Sequence, residues 1–167
     1  RQARSRVASS AVDVASAEQL AKRLALQAEV SDAFYQALAA QQRQQLNQSE
    51  LELAQRLRDI ASKRLAAGKV APIEQSKAMV AEAAARLALN QAHSEQRAAL
   101  QRLASLLGQR QADFGSVAGQ LLPLPPLMSW PQLQQALQDA PEQQRAAHDV
   151  QRHQAEVELQ RALRTPD

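Results

Sequence analysis

The sequence predicts an all-α chain: a long antiparallel helical hairpin of coiled-coil type, an irregular proline-rich waist, and a second ascending helical stretch. Three observations predict it. Apolar residues recur at helical and often heptad spacing. Glycine and proline are confined to a few places in the 167 residues. Aromatic residues make up 2% of a chain that is 45% hydrophobic, so Phe34, Tyr35, Phe114 and Trp130 are the whole stock. Aromatic side chains dominate thick cores. The Ala, Leu, Gln and Arg that dominate here favour helix and suit thin layers of helix packed on helix.

The first helix is expected over about 4–66, a stretch free of proline and glycine. Val7, Ala11, Val14, Leu20, Leu24, Phe34 and Leu38 follow helical spacing. Leu46, Leu53 and Ile60 then stand seven apart with Leu57 between, the pattern of a packing seam. About 60 residues at ~1.5 Å each would span roughly 90 Å. Gly68 can take the left-handed conformation that closes a helix, and Pro72 suits the first turn of the next. Glu74 falls in that first turn, where the helix dipole favours an anion.

The second helix is expected over about 72–107. Ile73, Val80 and Leu87 again stand seven apart, Leu100, Leu103 and Leu107 continue the apolar side, and Gly108 stops it. Gly115, Gly119, Pro123, Pro125 and Pro126 make 109–130 irregular. Ser129-Trp130-Pro131 reads as a helix entry. The helical stretch 131–167 is interrupted near Pro141, where Asp139 precedes a second start, and it ends at Thr165-Pro166-Asp167. The chain so divides into a hairpin (1–108) with its tip turn at 67–72, a linker (109–130) and a broken helical segment (131–167). The matching lengths would return residue 167 to the side of residue 1, as in an insert projecting from a larger body.

Composition narrows the function. The net charge is +3, from 20 Lys+Arg against 17 Asp+Glu, with the signs interspersed. That describes solvated helix faces. Neither a basic stripe nor stacking aromatics is present, so nucleic acid is not an expected partner. The absence of cysteine excludes disulfides and thiolate chemistry. No apolar run is long enough to cross a bilayer as a helix. Residues 1–6 lead straight into an amphipathic pattern, so the signal of an exported parent would have been removed or left out.

His93, His148 and His153 read as surface residues. His148 and His153 are five apart, which is wrong for two ligands on one helix face, and Asp149 with His153 supplies only two groups. No metal and no cofactor is expected. Ser9, Ser10, Ser49, Ser62 and Ser76 have no histidine in register, and Gly68, Gly115 and Gly119 form no phosphate loop, so no enzyme is expected. Gln41-Gln42-Arg43-Gln44-Gln45 reads as a water-facing run. The tip turn admits two readings. Capping alone explains Gly68 and Pro72, and a docking surface explains them equally.

The stretch from Arg58 to Ala78 resembles the periplasmic tip of TolC-like outer-membrane efflux proteins, the outer-membrane factors. A basic residue and Leu precede a small residue and Gly, then an apolar pair, then an acidic residue on the return helix. Arg64, Leu65, Gly68, Val70 and Glu74 fill those places. Leu103-Ala104-Ser105-Leu106-Leu107-Gly108 resembles the end of the family's return helix. Asp113-Phe114, Leu124-Pro125-Pro126-Leu127 and Ala33-Phe34-Tyr35 are similar to the heavy-metal branch.

The resemblance implies the periplasmic α-barrel portion of a homotrimeric exit duct in the Gram-negative envelope. It implies a periplasmic adaptor (membrane fusion protein) and an inner-membrane RND pump as partners, divalent heavy-metal cations as cargo, and gating by helix movement without chemistry. Arg64, Leu65, Gly68, Lys69, Val70 and Ala71 would meet the adaptor. Every β-strand of the family is absent, so the chain would be a piece of a larger protein that reaches the outer membrane only through the missing strands. Alone, it would expose its seams and self-associate. The rival readings are a periplasmic adaptor hairpin, which lacks its flanking β-segments here, and a generic structural coiled coil, which leaves the waist unexplained.

Overall fold

The computed structural model describes residues 2–138 and 140–164, with side chains from residue 4 onward. Four helices follow in order: α1 (Gln2–Ala66), α2 (Pro72–Leu106), α3 (Trp130–Gln138) and α4 (Pro141–Arg164). There is no strand among the described residues, and no helix there is long and apolar enough to cross a membrane. The all-α expectation holds. The expected start at Asp139, the ending at Thr165-Pro166-Asp167 and the meeting of residues 1 and 167 lie outside the described residues.

Packing divides the chain into two units, 29–124 and 1–28 with 125–167. In the first, α1 and α2 form an antiparallel hairpin. Its cross-helix ties run in opposite order on the two helices: Arg43 to Glu95 at 2.9 Å, Asn47 Nδ2 to the Ala88 carbonyl at 3.3 Å, Arg58 to Glu82 at 2.9 Å, and Gln75 Nε2 to Ser62 Oγ at 3.1 Å. The α2 residues that face α1 are Gln75, Ala78, Glu82, Ala85, Leu89, Ala92 and Gln96, all buried or half-buried at alternating steps of three and four.

The heptad positions read from the sequence are not this seam. Leu46, Leu53, Leu57, Ile60, Ile73, Val80 and Leu87 are between 51% and 69% exposed. The reason is helical phase. Leu53 and Ile60 come two residues after Leu51 and Arg58, which face α2. Val80 and Leu87 come two residues before Glu82 and Leu89, which face α1. Two residues turn a helix by about 200°, so Val80 and Leu87 lie on the back of α2, while Leu53, Leu57 and Ile60 lie off the seam on the flank of α1 that borders a groove. The seam itself takes small and polar residues.

The apolar core of this unit lies far from the tip. Ala33, Ala37, Leu100 and Leu103 are buried together, with Val30, Phe34, Ala99 and Leu106 around them and Ala112, Phe114 and Val117 of the linker packed on top. Leu38 is the large side chain most completely enclosed, at 1% exposure. The glutamine run 41–45 on α1 departs in part from the expectation that it faces water. Gln41 is half-buried and its side-chain amide pairs with the backbone of Val117.

In the second unit α4 runs antiparallel to the start of α1. Arg6 meets Glu158 at 3.0 Å and Glu18 meets Arg145 at 3.6 Å, around buried Val14, Ala17 and Ala155. The irregular segment ends one residue earlier than read, since Trp130 already belongs to α3. Ser129 precedes it, and its N–H and hydroxyl both donate to Gln132 Oε1, at 2.8 and 2.9 Å, half of a capping box. Pro141 opens α4 with Glu142 in the first turn, as a proline at the first helical position permits.

Candidate functional site at the hairpin tip

The last turn of α1 carries Lys63 and Arg64, cations set against the negative end of the helix dipole. Gly68 then turns left-handed, with φ +67°. The Gly68 N–H donates to the Leu65 carbonyl and the Lys69 N–H to the Arg64 carbonyl, both at 2.8 Å. This 5→2 and 6→1 pair is a Schellman closure, and it needs the positive φ that glycine adopts without strain. Ala71 is extended and lends its carbonyl to the Glu74 N–H at 3.0 Å. Pro72 starts α2, and Glu74 in its first turn pairs with Lys77 at 2.9 Å. The chain so reverses within five residues, and no side chain caps the N-terminus of α2.

Of the six tip residues, Arg64, Gly68, Lys69 and Ala71 are exposed, while Leu65 and Val70 are half-buried. Arg64 and Val70 border a groove of about 520 Å³ on one side of the hairpin. Leu53, Leu57 and Ile60 supply its apolar floor, with Glu50, Glu74 and Lys77 along the rim. The tip is a blunt basic end above an apolar groove.

Behind the tip stands a polar site that sequence reading did not single out. Glu82, 7% exposed, receives Arg58 at 2.9 Å across the seam and Arg86 at 2.7 Å from its own helix. Arg58 also holds Asp59 at 2.7 Å. The Asp59 carboxylate, by hydrogen bond and charge, and Glu82 behind it raise the Arg58 guanidinium above its ordinary range. Glu82 stands seven residues after Gln75 and seven before Leu89, which was the available sign that it belongs to the seam.

Further along the hairpin, Glu95 is held below the ordinary carboxylate range, first by the Gln91 amide and then by Arg43. A depressed folded-state value means that the tie to Arg43 is complete above the usual carboxylate range. It is lost only as pH falls through the depressed value. In a carboxyl NMR titration the Glu95 midpoint is expected to lie below that of an ordinary exposed glutamate. Gln91→Ala and Arg43→Ala should each raise it, and a midpoint that neither substitution moves would contradict this assignment.

His93 and His153 are exposed, and His153 Nδ1 lies 3.1 Å from Glu156. His148 is half-buried with its Nδ1 enclosed and unpartnered, which corrects the surface reading for that residue. Among the described residues no three His, Cys, Asp or Glu side chains are grouped to hold a metal ion.

Comparison with known proteins agrees with this geometry. The family model for outer membrane efflux proteins matches residues 1–109, which contain the whole hairpin. The cobalt-zinc-cadmium resistance protein CzcC of Cupriavidus metallidurans is 33% identical over 142 residues, 85% of this chain. The chain spans about a third of that relative, 34% of its length. No solved structure matches. The helical hairpin, its glycine-closed tip and the match across it together show that this chain belongs to the outer membrane efflux protein family.

Proposed function

We propose that the chain is the periplasmic helical wall of an outer-membrane exit duct, one subunit's share of a trimer in a tripartite pump–adaptor–duct system. The observation that carries this reading is the pair of apolar stripes. Ile73, Val80 and Leu87 run along the back of α2, and Leu46, Leu53 and Ile60 run along α1, all exposed in the single chain. A hairpin inside a globule would bury such stripes in a second layer. A hairpin in a single-layered wall needs an apolar flank for each lateral neighbour, and this one has two. The stripes are too regular to be the scattered apolar residues of an ordinary surface.

The cargo we propose is divalent heavy-metal cations, following the cobalt, zinc and cadmium resistance for which the CzcC relative is named. The duct guides them without holding them tightly, since a strong ligand set would slow release. The partners are a periplasmic adaptor and an inner-membrane RND pump, and the protein stands in the Gram-negative outer membrane with this segment in the periplasm. Arg64, Leu65, Gly68, Lys69, Val70 and Ala71 form the adaptor contact. Gly68 allows close backbone approach, Val70 offers a small apolar contact, and Arg64 and Lys69 set register by charge.

Disulfide trapping tests the contact. Lys69→Cys in the full-length efflux protein would be paired in cells with a cysteine series along the hairpin of its adaptor. Cross-linking at one register is the expected result. Absence of any cross-link, with both proteins folded and present, would remove the docking role from the tip.

A further inference from the structure

Two glutamines hold the segment after α2 by one device. Gln41 on α1 donates from Nε2 to the Val117 carbonyl at 3.2 Å and accepts the Val117 N–H on Oε1 at 3.1 Å. Gln101 on α2 donates to the Arg110 carbonyl at 2.9 Å and accepts the Ala112 N–H at 3.3 Å. Each side-chain amide has one donor face and one acceptor face. Each so makes the two bonds that a paired strand would otherwise make.

Between and beyond the clamps, the segment lies on both helices. Phe114 and Val117 pack on Ala33, Ala37, Leu100 and Leu103. Gly119 lies flat on Phe34 and Leu38, where an added Cβ would stand 3.4 Å from Leu38 Cδ2. Toward the tip the seam changes character. Asn47, Arg58, Ser62, Gln75 and Glu82 replace the apolar cluster. Apart from the buried Glu82, these polar ties lie at partly exposed positions, where they hold helices together weakly.

We propose that residues 110–119 form a strap that locks the middle of α1 to the end of α2, the two helix roots of the tip-bearing hairpin, with Gln41 and Gln101 as its positioning residues. The movable part of the hairpin then begins on the tip side of this level. Both clamps are within reach of water, since Gln41 is half-buried and Gln101 exposed. The strap can open as a local event without melting either helix. This holds whatever partner the tip engages.

Hydrogen exchange read by mass spectrometry on the full-length protein tests the lock. The double variant Gln41→Met, Gln101→Met keeps side-chain length and removes both amides. Peptides containing Ala112 and Val117 are expected to exchange about tenfold faster or more. Peptides over 33–41 and 99–106 should accelerate with them, while those over 51–62 and 75–89 keep their rates. Unchanged strap peptides would overturn the clamp. A released strap with unchanged helix roots would make it a passenger, and equal acceleration everywhere would show general destabilisation; either overturns the lock. The single variant Gln41→Glu covers the case in which the double variant does not fold. It retains the acceptor for the Val117 N–H and sets a carboxylate against the Val117 carbonyl. An intermediate rate at Val117 is expected, and the unaltered rate would overturn the role of Gln41.

Discussion

Leu38→Ala is expected to cost about 2–5 kcal/mol of the stability of the unit that contains it, the range for emptying a packed leucine site. Leu38 is 1% exposed, and it lies under Gly119 of the strap. Leu53→Ala removes the same atoms from a side chain that is 51% exposed. In the unassembled chain it is expected to cost less than about 1 kcal/mol. Chemical unfolding followed by helical circular dichroism compares the two. Equal losses would show that the core does not lie at the level of Leu38.

Val80→Glu with Leu87→Glu is expected to do the opposite, sparing the fold and breaking the assembly. Both side chains are 69% exposed in the single chain, and glutamate is a better helix former than valine and about equal to leucine. Helix content and unfolding midpoint should therefore move little. In the proposed wall the same positions meet a neighbouring helix, and each unpaired carboxylate would cost on the order of 3 kcal/mol there. Sizing of the detergent-solubilised full-length protein should show loss of the trimer at unchanged circular dichroism. A variant that assembles like the parent would show that the back of α2 faces water.

Much of the fold was legible because few side chains could confuse the pattern. Gly68 and Gly108 mark both helix ends, with φ +67° and +80°, since each stop needs a conformation that other residues adopt only with strain. Pro72 and Pro141 mark helix starts for the converse reason, a missing N–H that costs nothing there. The seam was misplaced because a seven-residue period reports that a stripe exists and not which neighbour covers it. Leu53 and Val80 advertise a contact more strongly than Ala78 or Gln75, although Ala78 and Gln75 are the ones that face the partner helix.

The clamps by Gln41 and Gln101 were not legible in a chain so rich in glutamine. Nothing local separates a glutamine that reaches a linker backbone some 76 positions away from one that faces water. The tip was legible as a turn from Gly68 and Pro72 alone. Its docking role came from resemblance, because exposed Arg64 and Lys69 are equally at home on an ordinary helix end.

The central claim is that the apolar back of α2 is covered by neighbouring helices in the assembled duct. Maleimide labelling of Val80→Cys in the full-length protein, in intact outer membranes and again after denaturation, tests it most directly, with Lys69→Cys at the exposed tip as the reference. The expected result is a Val80→Cys site that stays unlabelled until the protein is unfolded, although the valine is 69% exposed in the single chain. Labelling of the folded protein at the rate of an open thiol would contradict the single-layered wall.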